Sequence, residues 1–253
     1  MTDAADRFSN RADAYVRARP SYPRETLSIL REHHGLVHDS VVADIGAGTG
    51  IFSKLLLEAG ARVIAVEPNA DMRAQAEKML GALPNFQSTN GRAEATTLDE
   101  KSVDLVVAAQ AFHWFDVAAA RVEHRRILRP GAHSALVWND RDLASNAFLR
   151  DYERILVEHC PGYPVLQGKA DTPEKFDAYF GKGKWTKHAA PNSQSLDREL
   201  LVVRVMSSSY APSAGGDGHA ALVRALEAVF DRHSENGAVV IPYTTTVIGG
   251  PLG

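Results

Sequence analysis

The chain has 253 residues, 45% of them apolar and 23% charged, enough to bury a sizeable core and inconsistent with disorder of the whole chain. Its 28 lysines and arginines against 31 acidic residues leave a formal net charge of −3 with no long block of either sign, which argues against a surface that displaces counterions from nucleic acid. The one cysteine, Cys160, excludes an intrachain disulfide and every cysteine-rich zinc pattern, and no stretch approaches the ~18 apolar residues of a membrane span. Met1–Arg7 is polar with no apolar run behind it, so no secretory signal is expected and the cytoplasm is the expected location.

Taken in chain order, residues 1–35 read as a helical N-terminal cap. His33, His34 and His38 flank Gly35, which breaks any helix that would align them, so they read as a solvated loop and no metal site is expected. Val41–Ile45 is a short apolar strand that runs into Gly46-Ala47-Gly48-Thr49-Gly50 and then an amphipathic helix ending near Gly60. The unit repeats: strand Arg62–Val66, helix Asp71–Leu80, strand Pro84–Thr89, strand Val103–Ala109, helix Asp116–Leu128, strand His133–Trp138. Alternation of this kind builds a doubly wound α/β sheet, and residues 36–140 read as its binding core. From 141 to 235 the pattern becomes irregular, with helices over Ala147–His159, Leu196–Tyr210 and His219–His233, a short strand at Trp185–His188 and a glycine-rich hinge at 215–218. The end, 236–253, holds a β-rich run from Ala238 to Ile248.

Ligands of open α/β sheets settle beyond the carboxyl ends of the strands. Gly46 and Gly48 let the backbone turn tightly there, and the reading is that a Cβ at either would fill the ligand's space. Glu67 ends the second strand 21 residues after Gly46, where a carboxylate can accept both hydroxyls of a ribose. A dinucleotide site uses Gly-x-Gly-x-x-Gly; here the third glycine comes one residue early and Ile51 holds the dinucleotide position. Asp44, just before the loop, suits a cationic ligand better than a phosphate. S-adenosylmethionine, with an ammonium, a sulfonium, a ribose diol and no phosphate, matches that set.

The runs Val42–Gly50, Val63–Asn69 and Ile127–Gly131 resemble the signatures of class I S-adenosylmethionine-dependent methyltransferases. Phe8–Tyr15, Arg19–Pro23, Ala109–Asp116 and Ile241–Thr244 are similar to the small-molecule branch that includes trans-aconitate methyltransferase-like proteins. The resemblance implies one domain with a mostly parallel seven-stranded sheet, an antiparallel C-terminal strand and helical lid additions. It places Asp44, Gly46, Ala47 and Gly48 around the methionine part of the cofactor, Glu67 and Pro68 at the ribose, and Asn69 and Met72 along the adenine. Ala93 offers its N–H to the adenine edge within Gly91-Arg92-Ala93-Glu94; many relatives carry an aspartate where Arg92 stands, and Glu94 can replace it as acceptor. Gln110 and Ala111 lie beneath the sulfonium.

His113 follows the fourth strand and reads either as a general base for a hydroxyl or amine nucleophile or as part of an aromatic wall with Trp114 and Phe115. Tyr15, Arg19 and Tyr22 read as a segment folding over the cofactor or as a surface helix. A carboxylate acceptor needs no base and would be bound by Arg19 or Arg141. A small-molecule acceptor is the expected partner, with the chain a monomer or homodimer. Two alternatives stay open at this point: a cofactor-binding regulator that does not catalyse, and a nicotinamide-dependent oxidoreductase on the same sheet.

Overall fold

Strand-forming runs rich in valine and isoleucine, each followed by a helix with one apolar face, produce the expected wound sheet. The computed structural model describes residues 18–143, 145–163, 172–208 and 210–252. Its elements are α1 (Glu25–His34), β1 (Val41–Ile45), α2 (Ile51–Glu58), β2 (Arg62–Val66), α3 (Ala70–Leu80), β3 (Phe86–Thr89) and β4 (Val103–Ala109). After a single turn at Phe112–Trp114 come α4 (Val117–Ile127), β5 (Leu128–Arg141), α5 (Ala147–His159), α6 (Pro173–Phe180), β6 (Thr186–Leu196), α7 (Arg198–Met206), α8 (His219–His233) and β7 (Val239–Pro251). The sheet order is β3-β2-β1-β4-β5-β7-β6, parallel from β3 to β5 and antiparallel at β7 and β6. No helix among the described residues is long and apolar enough to cross a membrane.

Local chemistry sets the helix starts. Asn69 Oδ1 accepts the Met72 N–H at 2.9 Å, Asp116 Oδ1 accepts the Ala118 and Ala119 N–H groups at 3.1 Å, and Asn146 and Asp197 cap α5 and α7 in the same way. Val42, Leu105, Val107, Ala135 and Val137 form one buried layer with Phe52 and Leu56 of α2. A separate cluster packs Tyr152 and Leu156 of α5, Leu201 and Val205 of α7 and Leu226 of α8 against Ile241 and Tyr243 of β7.

The structure corrects the second half of the sequence reading. The short strand at Trp185–His188 is an eleven-residue edge strand reaching Leu196, and Pro191 sits inside it because an edge strand can spare a backbone donor. Since Leu196 belongs to that strand, α7 begins only at Arg198, after the Asp197 cap, and it stops at Met206. The fifth strand extends to Arg141, held by pairing of Arg141 with Tyr243. Helix α6 went unread: Pro173 at its first position and buried Phe176, Tyr179 and Phe180 define it. Tyr15 and the Phe8–Tyr15 run lie outside the described residues.

The histidines are also corrected. His33 and His34 complete the last turn of α1, and His34 is only 2% exposed. Its Nδ1 lies 3.4 Å from His133 Nδ1 on β5, while the His33 ring stacks on His188 of β6 with centroids 3.8 Å apart. Gly249 of β7 makes the space, since a Cβ there would stand 2.5 Å from the His34 ring. Burial, and then the neighbouring His133, His188 and His33, hold the His34 pKa down at about 4. A base depressed in the folded state binds fewer protons than in the unfolded chain, so stability present above about pH 6.5 is lost as pH falls toward 4. Thermal melts are expected to show a falling midpoint over that window, with a shallower slope in His34→Gln; an unaltered slope contradicts the assignment.

Candidate functional site

A cavity of about 950 Å³ lies along the carboxyl ends of β1, β2, β4 and β5 and continues beneath β7 and α7. Its first part is the βα corner. Gly46 and Gly48 adopt φ of +69° and +57°, and Gly46 N–H and Ala47 N–H both donate to Val66 O, at 2.8 and 3.2 Å, tying the loop to the end of β2. A Cβ on Gly48 would meet nothing within 4 Å and would stand in open space, the mark of a cradle. Gly46 is different from its expected role: a Cβ there would strike Ala111 Cβ at 2.7 Å, so this glycine admits a neighbouring wall residue.

Two carboxylates converge behind the loop. Asp44, fully buried on β1, accepts the Ser53 hydroxyl at 2.6 Å through Oδ2, while Oδ1 has no hydrogen-bond partner among the described residues. Burial, partly offset by the Ser53 hydrogen bond and reinforced by the nearby Glu67 charge, pushes its pKa up to about 7. Glu67 is 8% exposed; its Oε2 accepts Gly48 N–H and its Oε1 accepts Asn69 N–H, each at 2.9 Å. Burial raises its pKa, against the pull of those two hydrogen bonds and of Arg73. Arg73 Nη1 donates to Glu67 O, Pro68 O and Asn90 Oδ1, at 2.9, 3.0 and 3.3 Å, and so ties the ends of β2 and β3 together.

The remaining expected residues surround the same space. Met72 and Ala93 are buried beside Asn69, and Pro68 borders the cavity there. The exposed Arg92 exchanges both backbone hydrogen bonds with Ala95 at 3.0 Å. Glu94 Oε1 accepts Asp116 N–H at 2.9 Å, which fixes the carboxylate at the start of α4. Gln110 holds a positive φ of +57°, costly for a side-chain-bearing residue, with its N–H on Val137 O and its Nε2 on Asn139 O. His113 and Trp114 line the cavity with ring centroids 4.9 Å apart.

The far part is cationic and aromatic. Arg19, Arg141 and Arg204 line it together with Tyr163, Tyr210 and Tyr243. Arg141 pairs with Glu153 at 3.5 Å and hydrogen-bonds the Tyr163 hydroxyl, which donates to Glu153 Oε1 at 2.6 Å. Arg204 is 4% exposed, lies 5.8 Å from the Tyr243 ring and has no carboxylate partner among the described residues. The Nε atoms of Arg141 and Arg204 are buried with no hydrogen-bond partner among those residues. The sequence reading missed Ser53, Arg73, Asn139, Arg204 and this tyrosine group.

Comparison with known proteins decides the class. A family model described as a methyltransferase domain matches residues 43–136. Uncharacterized methyltransferases of Mycobacterium tuberculosis and Mycobacterium bovis are each 33% identical over 249 residues, covering 97% of this chain and 95% of their own. The chain belongs to the methyltransferase family. A solved structure from Anabaena variabilis, described as a candidate methyltransferase of an antibiotic biosynthesis pathway, is 26% identical with a TM-score of 0.62, over 93% of this chain and 98% of its own. One from Anaeromyxobacter dehalogenans has the same fold, at TM-score 0.65 and 24% identity over 92% and 98%. The methyltransferase uses S-adenosylmethionine, and the nicotinamide alternative falls.

The corner fits that cofactor on its own chemistry: an orphaned buried carboxylate oxygen for a cation, a second carboxylate with unused lone pairs for a diol, and an open cradle at Gly48. A cation bound at Asp44 needs the carboxylate ionised. Affinity for S-adenosylhomocysteine, which keeps the ammonium and the ribose, is therefore expected to be flat above about pH 7 and to fall up to about tenfold per unit below it. Asn in place of Asp44 is expected to weaken binding about 10- to 100-fold and to abolish the pH slope, both read by calorimetric titration. A retained slope contradicts the role of Asp44.

Proposed function

We propose that the methyltransferase passes the methyl group to a carboxylate of a small organic acid. The observation that carries this reading is Arg204, a buried cation without a charged partner among the described residues, beside Arg141 and Arg19 in one cavity. A buried charge costs several kcal/mol unless compensated, and a guanidinium is shaped to take a carboxylate through two parallel hydrogen bonds. Glu153 already neutralises Arg141, so the unbalanced charge sits at Arg204.

S-adenosylmethionine supplies an electrophilic methyl on a sulfonium, which departs as a neutral thioether when a nucleophile displaces it in line. Asp44 would hold its ammonium through Oδ1, Glu67 its ribose hydroxyls, and Asn69, Met72 and the Ala93 N–H its adenine. Gln110 and Ala111 would form the floor beneath the reacting centre. A carboxylate is already ionised, so the new O–C bond forms with no proton to remove and the product is a methyl ester. The protein's task is alignment and exclusion of water, and orientation alone can supply effective molarities of about 10⁵ to 10⁸ M. The helical additions, through Tyr163, Arg204 and Tyr210, would close the acceptor end.

His113 is the residue a second reading needs, as base for a hydroxyl acceptor, because it lines the same cavity. A labelled-methyl screen of small carboxylic acids against phenols, with mass analysis of products, separates the two. Esters are expected, with Arg204→Met raising KM for the acid about tenfold or more, well beyond any loss of S-adenosylhomocysteine affinity that follows from freeing the Ala18 carbonyl. Methyl ethers, with a His113→Ala loss of about 10² to 10⁴ in kcat, would contradict the acid reading.

A further inference from the structure

Between Ala18 and Arg24 the chain runs as an irregular strap into α1 and lends the cavity Arg19, Pro20 and Tyr22. The strap is held to the sheet by side-chain amides. Ser21 O accepts Asn192 Nδ2 at 2.8 Å and Asn139 Nδ2 at 3.2 Å; Ala18 O accepts Gln194 Nε2 at 3.0 Å and Arg204 Nη1 at 3.4 Å. Asn139 is the node. Its Oδ1 accepts Thr245 Oγ1 at 2.5 Å and Asn192 Nδ2 at 3.1 Å, which orients the amide so that its NH₂ faces the strap. Its backbone carbonyl accepts Gln110 Nε2 at 3.2 Å, joining the strap to the strained residue at the end of β4.

Strap carbonyls can only accept, so what holds them must donate, and a neutral amide does so without adding charge beside the three arginines. We propose that Asn139 and Asn192 are positioning residues for methyl transfer: an amide latch that seats the strap, with Arg19 and Tyr22, over the floor made by Gln110. Tyr22 packs edge-on against Phe52 of α2, with centroids 4.8 Å apart, so the seating of the strap reaches the donor corner as well as the acceptor end. The latch does not depend on whether the acceptor is an acid. A shift of about 1 Å in a positioning element can cost on the order of 10²-fold in rate, which is the physical reason for a latch here.

Asn192 is half-buried and does not line the cavity, so changing it disturbs the strap without removing a ligand contact. The test compares Asn192→Ala with Asn192→Asp, reading S-adenosylhomocysteine affinity by calorimetry and amide exchange over residues 18–24. At pH 8 the alanine variant is expected to weaken binding about three- to tenfold and the aspartate variant more, because a carboxylate turns lone pairs toward the Ser21 carbonyl. Exchange over 18–24 accelerates in both while β1–β4 keep their protection. Measured against wild type at the same pH, the aspartate defect shrinks only as the pH approaches about 4, where an ordinary aspartate regains a proton to donate. A packing role gives the reverse order, since aspartate fills the asparagine volume and alanine leaves a gap. That order, or affinity and exchange unchanged in both variants, overturns the proposal. If the Asn192 variants do not fold, Gln194→Ala against Gln194→Glu at the Ala18 carbonyl decides it by the same ranking.

Discussion

Two carboxylates buried at one βα corner constrain everything else in this molecule. Asp44 stands on β1 and Glu67 directly follows the adjacent parallel β2, and each is taken out of water, which raises its pKa. Glu67 is partly compensated, because the turns that follow β1 and β2 each aim a backbone N–H at it. Among the described residues Asp44 is compensated on one oxygen, by Ser53. A compact cation at Asp44 Oδ1 would cancel that deficit, as the proposed binding of the cofactor's ammonium requires. The Gly48 turn and the β2–α3 turn, the latter tied to β3 by Arg73, hold Glu67 in place through its two backbone hydrogen bonds.

The cavity carries charge of both signs. Asp44 and Glu67 border it at the βα corner, and Arg19, Arg141 and Arg204 outnumber Asp140 toward the end formed by β7, α7 and the strap. A cationic donor and an anionic acceptor would sort themselves into opposite ends of such a space before any shape selection operates. In the proposed transfer to a carboxylate both charges would disappear, and the site would need no added oxyanion stabilisation. Gln110 stands where the two ends meet, and its left-handed backbone is held by the Val137 carbonyl and, through its side chain, by Asn139.

The donor corner was legible in the sequence because its parts are local. Asp44, Gly46 and Gly48 lie within five residues, and Glu67 sits at the end of the next strand, so strand length and turn chemistry alone bring them together. Arg204 could not be read that way: it comes from a helix whose register against β7 is set by packing around Tyr243. The edge strand β6 was obscured by Pro191 and by a polar run, Asn192 to Ser195, that also holds the latch. His34 was misread for the same reason. Its neighbours His133 and His188 are distant in sequence and meet it only once β5, β7 and β6 are aligned.

The most direct test of this account is a crystal structure of the protein grown with S-adenosylhomocysteine. The account requires the ligand's ammonium within hydrogen-bond distance of Asp44 Oδ1 and its two ribose hydroxyls on Glu67, with Gly46–Gly48 unmoved. A ligand seated elsewhere in the cavity, or one whose amino group turns away from Asp44 while that oxygen stays unpaired, would contradict it.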